Sequence, residues 1–474
     1  MRLTVITVNC LIRQVYCTKN TLIIYWMIME NISKQFFKSR QSPRGPSRLE
    51  LSDSSASNNF LEFLLTESPK LTQKYGDTIQ LSAKQYLITG PNAFKHILKT
   101  NPNNYTKRNL TYDRIKHIFG NGLIVSEGPI WEQHRQILQE AFTRDRLTEY
   151  ATVMTSTTQD FINNWRNQSS NSINLVKEMM HLTLTIAFRV FSNYNPTLKD
   201  LQIINFAIQH GTPHISHALF VHPWMPSVNN LLFFWSIRRM NNALQNIITE
   251  RHTNGKSYGD FLDLLLSSNF NKDEILDEFK TILLTGHETT ACGLTWTWHL
   301  LSKHPEYRLL LEQELNTVLG DRTPTFDDCA SLPMTKAIFL EALRLYPAIW
   351  VLPRRVLQSD TIDGYDIPSE SQLILNIHAL HRNPHYWNNP EQFYPCRFLG
   401  EYPSERHTYA FLPFSIGPHS CIGSHFSMVE GILLIATLAQ QLRLEALYNK
   451  NKTSPKPFLS LRPPNKMPMK FSIR

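Results

Sequence analysis

The sequence predicts a mainly α-helical fold, and three observations carry that expectation. Helical periodicity dominates from Pro129 onward, one uninterrupted helical pattern runs from about Lys272 to Leu301, and the strand-like segments are few and short. Hydrophobic residues make up 42% of the 474 residues, enough for a large core but too few for a membrane-embedded chain. Residues 43–474 read as one large unit, helical in the main with a small β region, because no linker interrupts the sequence after about residue 60. Residues 1–42 read as a separate extension.

The extension carries two apolar stretches, Leu3 to Ile12 and Thr21 to Met29, separated by Arg13, Lys19 and polar residues. Neither reaches the roughly 18–20 residues of a spanning helix, and the second ends in Met29-Glu30-Asn31 rather than in a small-residue cleavage site. The expectation is a cytoplasmic protein with a loose N-terminus that touches a membrane at most peripherally. A start at Met27 or Met29 would also account for the segment.

Pro43-Arg44-Gly45-Pro46 opens a polar lead-in to Asn59. Thr78 to Leu81 and Gln85 to Thr89 read as two short strands about a turn, and Pro91-Asn92 starts a helix through Phe94, Ile97 and Leu98. The long helix is opened by Asn271 with Glu274 three residues later as a capping pair, and at 1.5 Å per residue it spans roughly 45 Å. Gly364 and Pro368 punctuate short strands between Thr361 and Leu375, and Phe458 to Pro468 reads as a terminal hairpin, which together suggest a second small sheet.

The six cysteines are scattered, with no CxxC pair, which disfavours a disulfide scaffold. The net charge of +9 is dispersed, so an acidic protein partner or an anionic membrane surface fits better than nucleic acid.

The strongest chemical signal is Phe414-Ser415-Ile416-Gly417-Pro418-His419-Ser420-Cys421-Ile422-Gly423, followed by an amphipathic helix through Met428, Ile432, Leu433 and Leu438. A cysteine at a helix start meets unpaired backbone N–H groups that stabilise a thiolate, the form that binds a metal. Gly417 permits a tight turn before the sulfur, Gly423 leaves room for a flat group against the helix, and Phe414 would shield the sulfur from water. A lone cysteine is more often a small buried hydrophobe, and a zinc site from His419, Cys421 and His425 lacks a fourth ligand.

Two further patterns stand apart from it. In Glu341-Ala342-Leu343-Arg344 the charges are spaced i, i+3 and meet on one helix face, which is ordinarily a weak surface pair. Inside the long helix lies Thr285-Gly286-His287-Glu288-Thr289-Thr290, where a mid-helix Gly costs roughly 1 kcal/mol against Ala and so calls for a compensating use.

Taken together these residues resemble the cytochrome P-450 family. Phe414, Gly417, His419, Cys421 and Gly423 stand at the Phe, Gly, basic, Cys and Gly positions of its haem loop, with His419 where Arg is usual. Phe393-Tyr394-Pro395-Cys396-Arg397-Phe398 is similar to the family loop that brings a second arginine onto the Glu–Arg pair, so Glu341, Arg344 and Arg397 are implied to form a buried network that fixes the cysteine loop behind the haem. Glu288 and Thr289 match the family's acid–alcohol pair for proton delivery, with Thr285 where Ala or Gly is usual. Trp131 and Arg135, in Trp131-Glu132-Gln133-His134-Arg135, resemble its propionate-binding pair. In Pro353-Arg354-Arg355 the spacing to Gly364 favours Arg354 as a further propionate ligand. The five motifs stand in the family's order between about residue 43 and the C-terminus.

The resemblance implies the cytochrome P-450 fold, with a large helical domain, a small β domain and a buried haem b (iron protoporphyrin IX) whose metal ligand is Cys421. It implies a haem-thiolate monooxygenase that uses O2 and electrons from a separate ferredoxin or flavodoxin with its reductase. Greasy residues from Phe220 to Trp235 and from Ile349 to Leu352 are expected to line an access channel for a lipophilic substrate or else to pack as plain core. Rival readings are a haem-thiolate isomerase or dehydratase, against which Glu288 and Thr289 argue, and a non-catalytic haem sensor or electron carrier.

Overall fold

The computed structural model describes residues 43–45, 60–216, 227–400 and 407–474. The N-terminal extension and the Phe220 to Pro226 part of the expected channel segment lie outside these residues.

In chain order the helices are α1 (Phe60–Tyr75), α2 (Pro91–Lys95), α3 (Leu110–Phe119), α4 (Gly128–Leu138), α5 (Arg144–Arg166), α6 (Leu175–Ser192), α7 (Leu198–Ser216) and α8 (Val228–Asn254). They continue with α9 (Phe261–Ser267), α10 (Lys272–Lys303), α11 (Pro305–Val318), α12 (Pro333–Leu345), α13 (Ile377–Leu380) and α14 (Ser424–Gln441). Helix α10 crosses the whole domain and packs on α6, α12 and α14. It begins with the expected capping box, Asn271 accepting from the Asp273 and Glu274 amides while Glu274 accepts from the Asn271 amide. Threonine is a poor helix former because its hydroxyl competes for the backbone. Here Thr281, Thr285, Thr289, Thr290, Thr295 and Thr297 each donate to the carbonyl four residues earlier, which gives their hydroxyls an acceptor, and all but Thr285 and Thr289 are buried.

The largest sheet contains β1 (Thr78–Ser82), β2 (Gln85–Ile88), β3 (Tyr105–Thr106), β5 (Val351–Val356) and β8 (Gln372–Asn376), in the order β1-β2-β8-β5-β3. β2 and β8 run parallel and the other neighbours antiparallel. Between these come β4 (Ser172–Asn174), β6 (Asp360–Ile362) and β7 (Tyr365–Ile367), the last two forming a two-stranded ribbon. In β5 the pleat sends successive side chains to opposite faces. Arg354 accordingly turns inward and is buried, whereas the neighbouring Arg355 pairs outward with Glu370 at 3.3 Å.

The terminal hairpin is displaced from the expected Phe458 to Pro468. It is formed by β10 (Lys456–Pro457) and β11 (Leu461–Arg462). Pro463 and Pro464 lack the amide donors that would extend the ladder. Pro468 instead begins β12 (Pro468–Ile473), which lies between β4 and β9 (Leu442–Ala446).

Three apolar clusters hold these parts together. The largest surrounds α10 and α14, a second joins the sheet to α2, and a third packs α1 on Trp350 and Leu461. Trp350 and Phe233, both named among the channel residues, are fully buried, whereas Trp235 is exposed. Among the described residues no helix is long and apolar enough to cross a membrane.

Candidate functional site

The cysteine loop owes its shape to two residues with positive φ, Ser415 at 60° and Gly417 at 76°. A Cβ at Gly417 would sit 1.9 Å from the Leu98 carbonyl oxygen, so the loop lies directly against the turn His96–Thr100 that extends α2. The Cys421 amide donates back to the Phe414 carbonyl at 2.9 Å and closes the loop. Cys421 remains accessible although protein surrounds it closely, and Phe414 is half-buried against the main core. Burial pushes the Cys421 thiol up, opposed by the Gly423 amide and by Arg135. α14 begins only at Ser424, three residues past Cys421, and in the chain alone desolvation outweighs the donors. A bound cation reverses that balance, because a coordinating thiol is deprotonated outright.

Cationic and imidazole groups gather beside this loop. Arg135, on α4, donates to the Ser420 carbonyl at 2.9 Å, and Trp131, one turn earlier, packs on the His419 ring with centroids 4.1 Å apart. Arg354 reaches from β5 to the Tyr112 hydroxyl of α3 at 3.3 Å. Lys107, just past β3, is buried and donates to the carbonyls of Ile124 and Ser126 at 3.1 and 3.2 Å. Burial and the nearby Arg354 lower Lys107 to about 7, against a smaller opposing pull from Glu127. Burial followed by Lys107, Arg354 and Arg135 lowers His419 to about 3, and its Nδ1 is buried without a hydrogen-bond partner. His419 is thus neutral at physiological pH in the protein alone. Among the described residues no ion pair reaches Lys107, Arg135 or Arg354.

The Glu341 network is the opposite case. Arg344 grips Glu341 through Nε and a terminal nitrogen, both at 2.8 Å, and Arg397 donates to the same carboxylate at 3.0 Å. The Tyr394 amide adds a fourth donor at 2.9 Å, while Arg344 also reaches the carbonyls of His381, Pro390 and Gln392. Glu341 and Arg344 are fully buried. The link to the cysteine loop runs through His381, whose Nδ1 bonds the Arg344 carbonyl at 3.3 Å and whose Nε2 accepts from the Leu412 amide at 2.9 Å.

On α10, a Cβ at Gly286 would meet only the Phe191 ring at 3.5 Å, an ordinary contact. At Gly423 it would meet only Phe142 at 3.7 Å. Neither glycine is demanded by protein packing. Thr289 donates to the Thr285 carbonyl at 2.8 Å. Glu288 accepts from Arg462 at 2.8 Å and from the Ser460 hydroxyl, both of the terminal hairpin. Burial would raise this acid, but the charge and hydrogen bonds of Arg462 hold it below the ordinary carboxylate value, so it is ionised.

The residues present fit a flat, dianionic, metal-bearing group. A thiol stands in a tight loop, two glycines answer to no protein neighbour, and buried cations and a free imidazole nitrogen form an anion-binding set. The comparison with family models decides which family this is: the model described as Cytochrome P450 matches residues 61–471.

This chain belongs to the cytochrome P450 family.

Among its relatives is the cyclooctat-9-en-7-ol 5-monooxygenase of Streptomyces melanosporofaciens, 29% identical over 78% of this chain and 83% of that one. The pentalenene oxygenase of Streptomyces avermitilis is 29% identical over 78% and 84%, and cytochrome P450 4A10 of Rattus norvegicus 31% identical over 81% and 80%. The crystal structure of the cytochrome P450DA heme domain superposes with a TM-score of 0.80 at 25% identity, covering 92% of this chain and 97% of that one. The fold is the P450 fold, and the cofactor of the family is haem. The activity is that of a haem-thiolate monooxygenase, which places one oxygen atom of O2 in a lipophilic organic molecule with electrons from redox proteins. When bound, the haem supplies the one-electron and O2 chemistry that no side chain offers.

Sequence reasoning passed over Lys107, His381 and the pair Ser460–Arg462. Lys107 follows an edge strand in a basic stretch and reads as solvated. His381 lies 37 and 31 residues from its partners and Arg462 lies 174 from Glu288, and nothing local marks them.

Proposed function

We propose that this P450 oxygenates a cyclic alkene or alkenol of low polarity, with Cys421 as thiolate ligand in the loop shaped by Phe414, Gly417 and Gly423. Trp131, Arg135, Arg354, His419 and Lys107 would hold the propionate edge of the haem. The observation that carries this assignment is the gathering of two buried cations, Lys107 and Arg354, the half-buried Arg135 and a neutral imidazole beside the cysteine loop, since like charges are costly to bury together without an anion to share. The substrate class draws support from the names of the two Streptomyces relatives, which specify an alkenol and an alkene. Residues 43–474 form the catalytic unit in this reading, and residues 1–42 an extension to it.

Thr289 and Glu288 act as the alcohol and acid that manage protons. The Thr289 hydroxyl gives its hydrogen to the helix backbone, so its lone pairs face outward to accept from a water, which orients that water. Glu288 is held as a carboxylate by Arg462; a shift of the terminal hairpin would free it to take up and pass on a proton. Glu341, Arg344 and Arg397 support the loop from behind without touching the reacting atoms.

An acidic ferredoxin or flavodoxin is the proposed electron donor. Support comes from Lys95 and Lys99, which flank the Tyr409 ring at 5.6 Å on the turn that abuts Gly417, giving a basic surface next to the cysteine loop. The exposed residues Val228, Leu231, Leu232 and Trp235, spaced as one face of α8 and followed by Arg238 and Arg239, support a peripheral contact with an anionic bilayer. Vesicles of anionic lipid should sediment the protein, and Trp235→Glu should weaken that; binding indifferent to the substitution would reject this face.

The test of the main reading is a screen of lipophiles by haem absorbance, followed by turnover with a ferredoxin and its reductase. Cyclic alkenes should displace the iron's water and yield hydroxylated product. Spectral shifts from fatty acids alone would overturn the substrate class, and product formed without reductant would favour an isomerase.

A further inference from the structure

Helix α4 carries Trp131 and Arg135 to the cysteine loop, yet only two of its side chains, His134 and Leu138, are buried. Helices in proteins are held mainly by the packing of an apolar face, and α4 has little of one that is fully covered. His134 supplies a polar hold instead. Its ring packs on Phe270 with centroids 4.4 Å apart, and its Nδ1 stands 2.7 Å from Oε1 of Glu278 on α10. Glu278 is fully buried, and its other oxygen accepts from the Leu123 amide at 3.1 Å. The carboxylate accepts at both ends, so the ring nitrogen donates to it. Nε2 of the same ring faces Glu274 at 3.8 Å, whose second oxygen closes the capping box. One side chain thus ties α4 to the first two turns of α10.

The loop between α3 and α4 is tied to the same two turns. Asp277 accepts from the Asn121 amide at 2.8 Å and Glu278 from Leu123. A Cβ at Gly122 would sit 2.2 Å from the Thr281 hydroxyl, so this backbone lies directly on α10. The loop presents the Ile124 and Ser126 carbonyls that Lys107 reaches. Trp131 and Arg135 therefore stand on one support and Lys107 on another, and Glu278 holds both.

We propose that Glu278 and His134 are positioning residues for the haem: through them α10 sets where Trp131, Arg135 and Lys107 meet the propionates, and so the charge against which the iron is reduced. The inference rests on the propionate-edge reading above. Neither side chain touches reacting atoms; their effect passes through α4 and the loop before it. Reduction adds one negative charge to the cofactor, and a cation held close offsets that charge. The same cation held loosely offsets less, so the potential depends on how firmly both supports are seated on α10.

Two substitutions at one position of the ferric holoprotein test this. Asparagine places an amide nitrogen where Nδ1 stands, so His134→Asn should keep the parent's behaviour. His134→Phe keeps a ring against Phe270 without the donor. It should speed amide exchange across Gly128–Leu138, quicken haem transfer to an acceptor protein by about tenfold, and shift the reduction potential to more negative values. If the stranded Glu278 leaves too little folded protein, His134→Phe combined with Glu278→Gln removes the charge along with its donor and should show the same three changes. In an Arg135→Gln background the shift in potential should shrink, because one of the groups that α4 delivers is already neutral. A purely structural pair would lower the denaturation midpoint and leave the potential of the folded protein unmoved, and that result overturns the proposal. Equal shifts in His134→Asn and His134→Phe, which would make packing the cause, overturn it as well, as does a shift undiminished in the Arg135→Gln background. Arg135→Gln and Lys107→Met variants that both match the parent in haem transfer and potential would overturn the propionate reading itself. Faster exchange across α4 in His134→Phe tells that failure apart from a helix that was never tethered.

Discussion

Two sets of buried and half-buried cations serve the cysteine loop, and they differ in what neutralises them. Arg344 and Arg397 spend their donors on one carboxylate and on main-chain carbonyls, all supplied by the chain itself. Lys107, Arg135 and Arg354 meet carbonyls and a phenol, and burial followed by their charges lowers His419 far below its ordinary range. The first set is complete and so fixes geometry. The second repels itself and so favours an anionic guest. A saturated network and a frustrated one look alike in sequence, since both are arginines among apolar residues; only their partners tell them apart.

The comparison can be broken or sharpened by substitution. The largest effect belongs to Cys421, which both sets serve: Cys421→Ser should abolish the red-shifted Soret band of the reduced, carbon monoxide-treated parent, and survival of that band would reject the ligand assignment. Next comes Glu341→Ala, which strands two arginines and should cost about 3–5 kcal/mol, as for other broken buried pairs. The expected result is little folded holoprotein, read as yield and denaturation midpoint. Normal yield would mean that the network is not structural.

Lys107→Met should do the contrary to the apoprotein. Folded Lys107 releases its proton at about 7 rather than 10.5, so between those values the unfolded chain binds more protons and the apoprotein gains stability as pH rises. Removing the amine should flatten that slope and stabilise the apoprotein near pH 6, while haem retention falls by about tenfold for the lost charge-assisted bond. Measured midpoints from pH 6 to 9 and haem-transfer rates check both signs, and a variant less stable than the parent at pH 6 would place Lys107 with the saturated set. The smallest structural effect belongs to Thr289→Ala. It should leave stability, haem loading and substrate affinity as they are and lower product per reductant, with peroxide rising. Unchanged coupling would reduce Thr289 to a helix threonine bonded to its own backbone.

Much of this was legible in the sequence because it is local. The Asn271–Glu274 cap, the Gly417 turn, the i, i+3 pair Glu341–Arg344 and the two strands around residue 83 each depend on residues a few positions apart. The pleat of β5 buries Arg354 and leaves Arg355 half-buried and paired with Glu370. What stayed hidden depends on distance. Glu288 was legible as the acid beside Thr289, but its partner Arg462 lies 174 residues downstream. Glu430 sat in a run of helix-forming residues where nothing local announces that Oε2 has no partner. The terminal hairpin was misplaced because Pro463-Pro464 was read as part of a strand pair rather than as its end.

The tether between Glu288 and Arg462 also bears on how the protein is made. Ribosomes release α10 long before β11, and domains tend to assemble from the N-terminal side during synthesis. Until Arg462 emerges, the middle of the central helix carries a carboxylate destined for the core with no counter-charge. β4 likewise waits for β12, which comes almost three hundred positions later, to complete its edge. The nascent chain therefore reaches its native packing only after β12 has been synthesised, and nascent chains stalled ahead of Arg462 should stay protease-sensitive around α10 where those extended past Pro468–Ile473 resist.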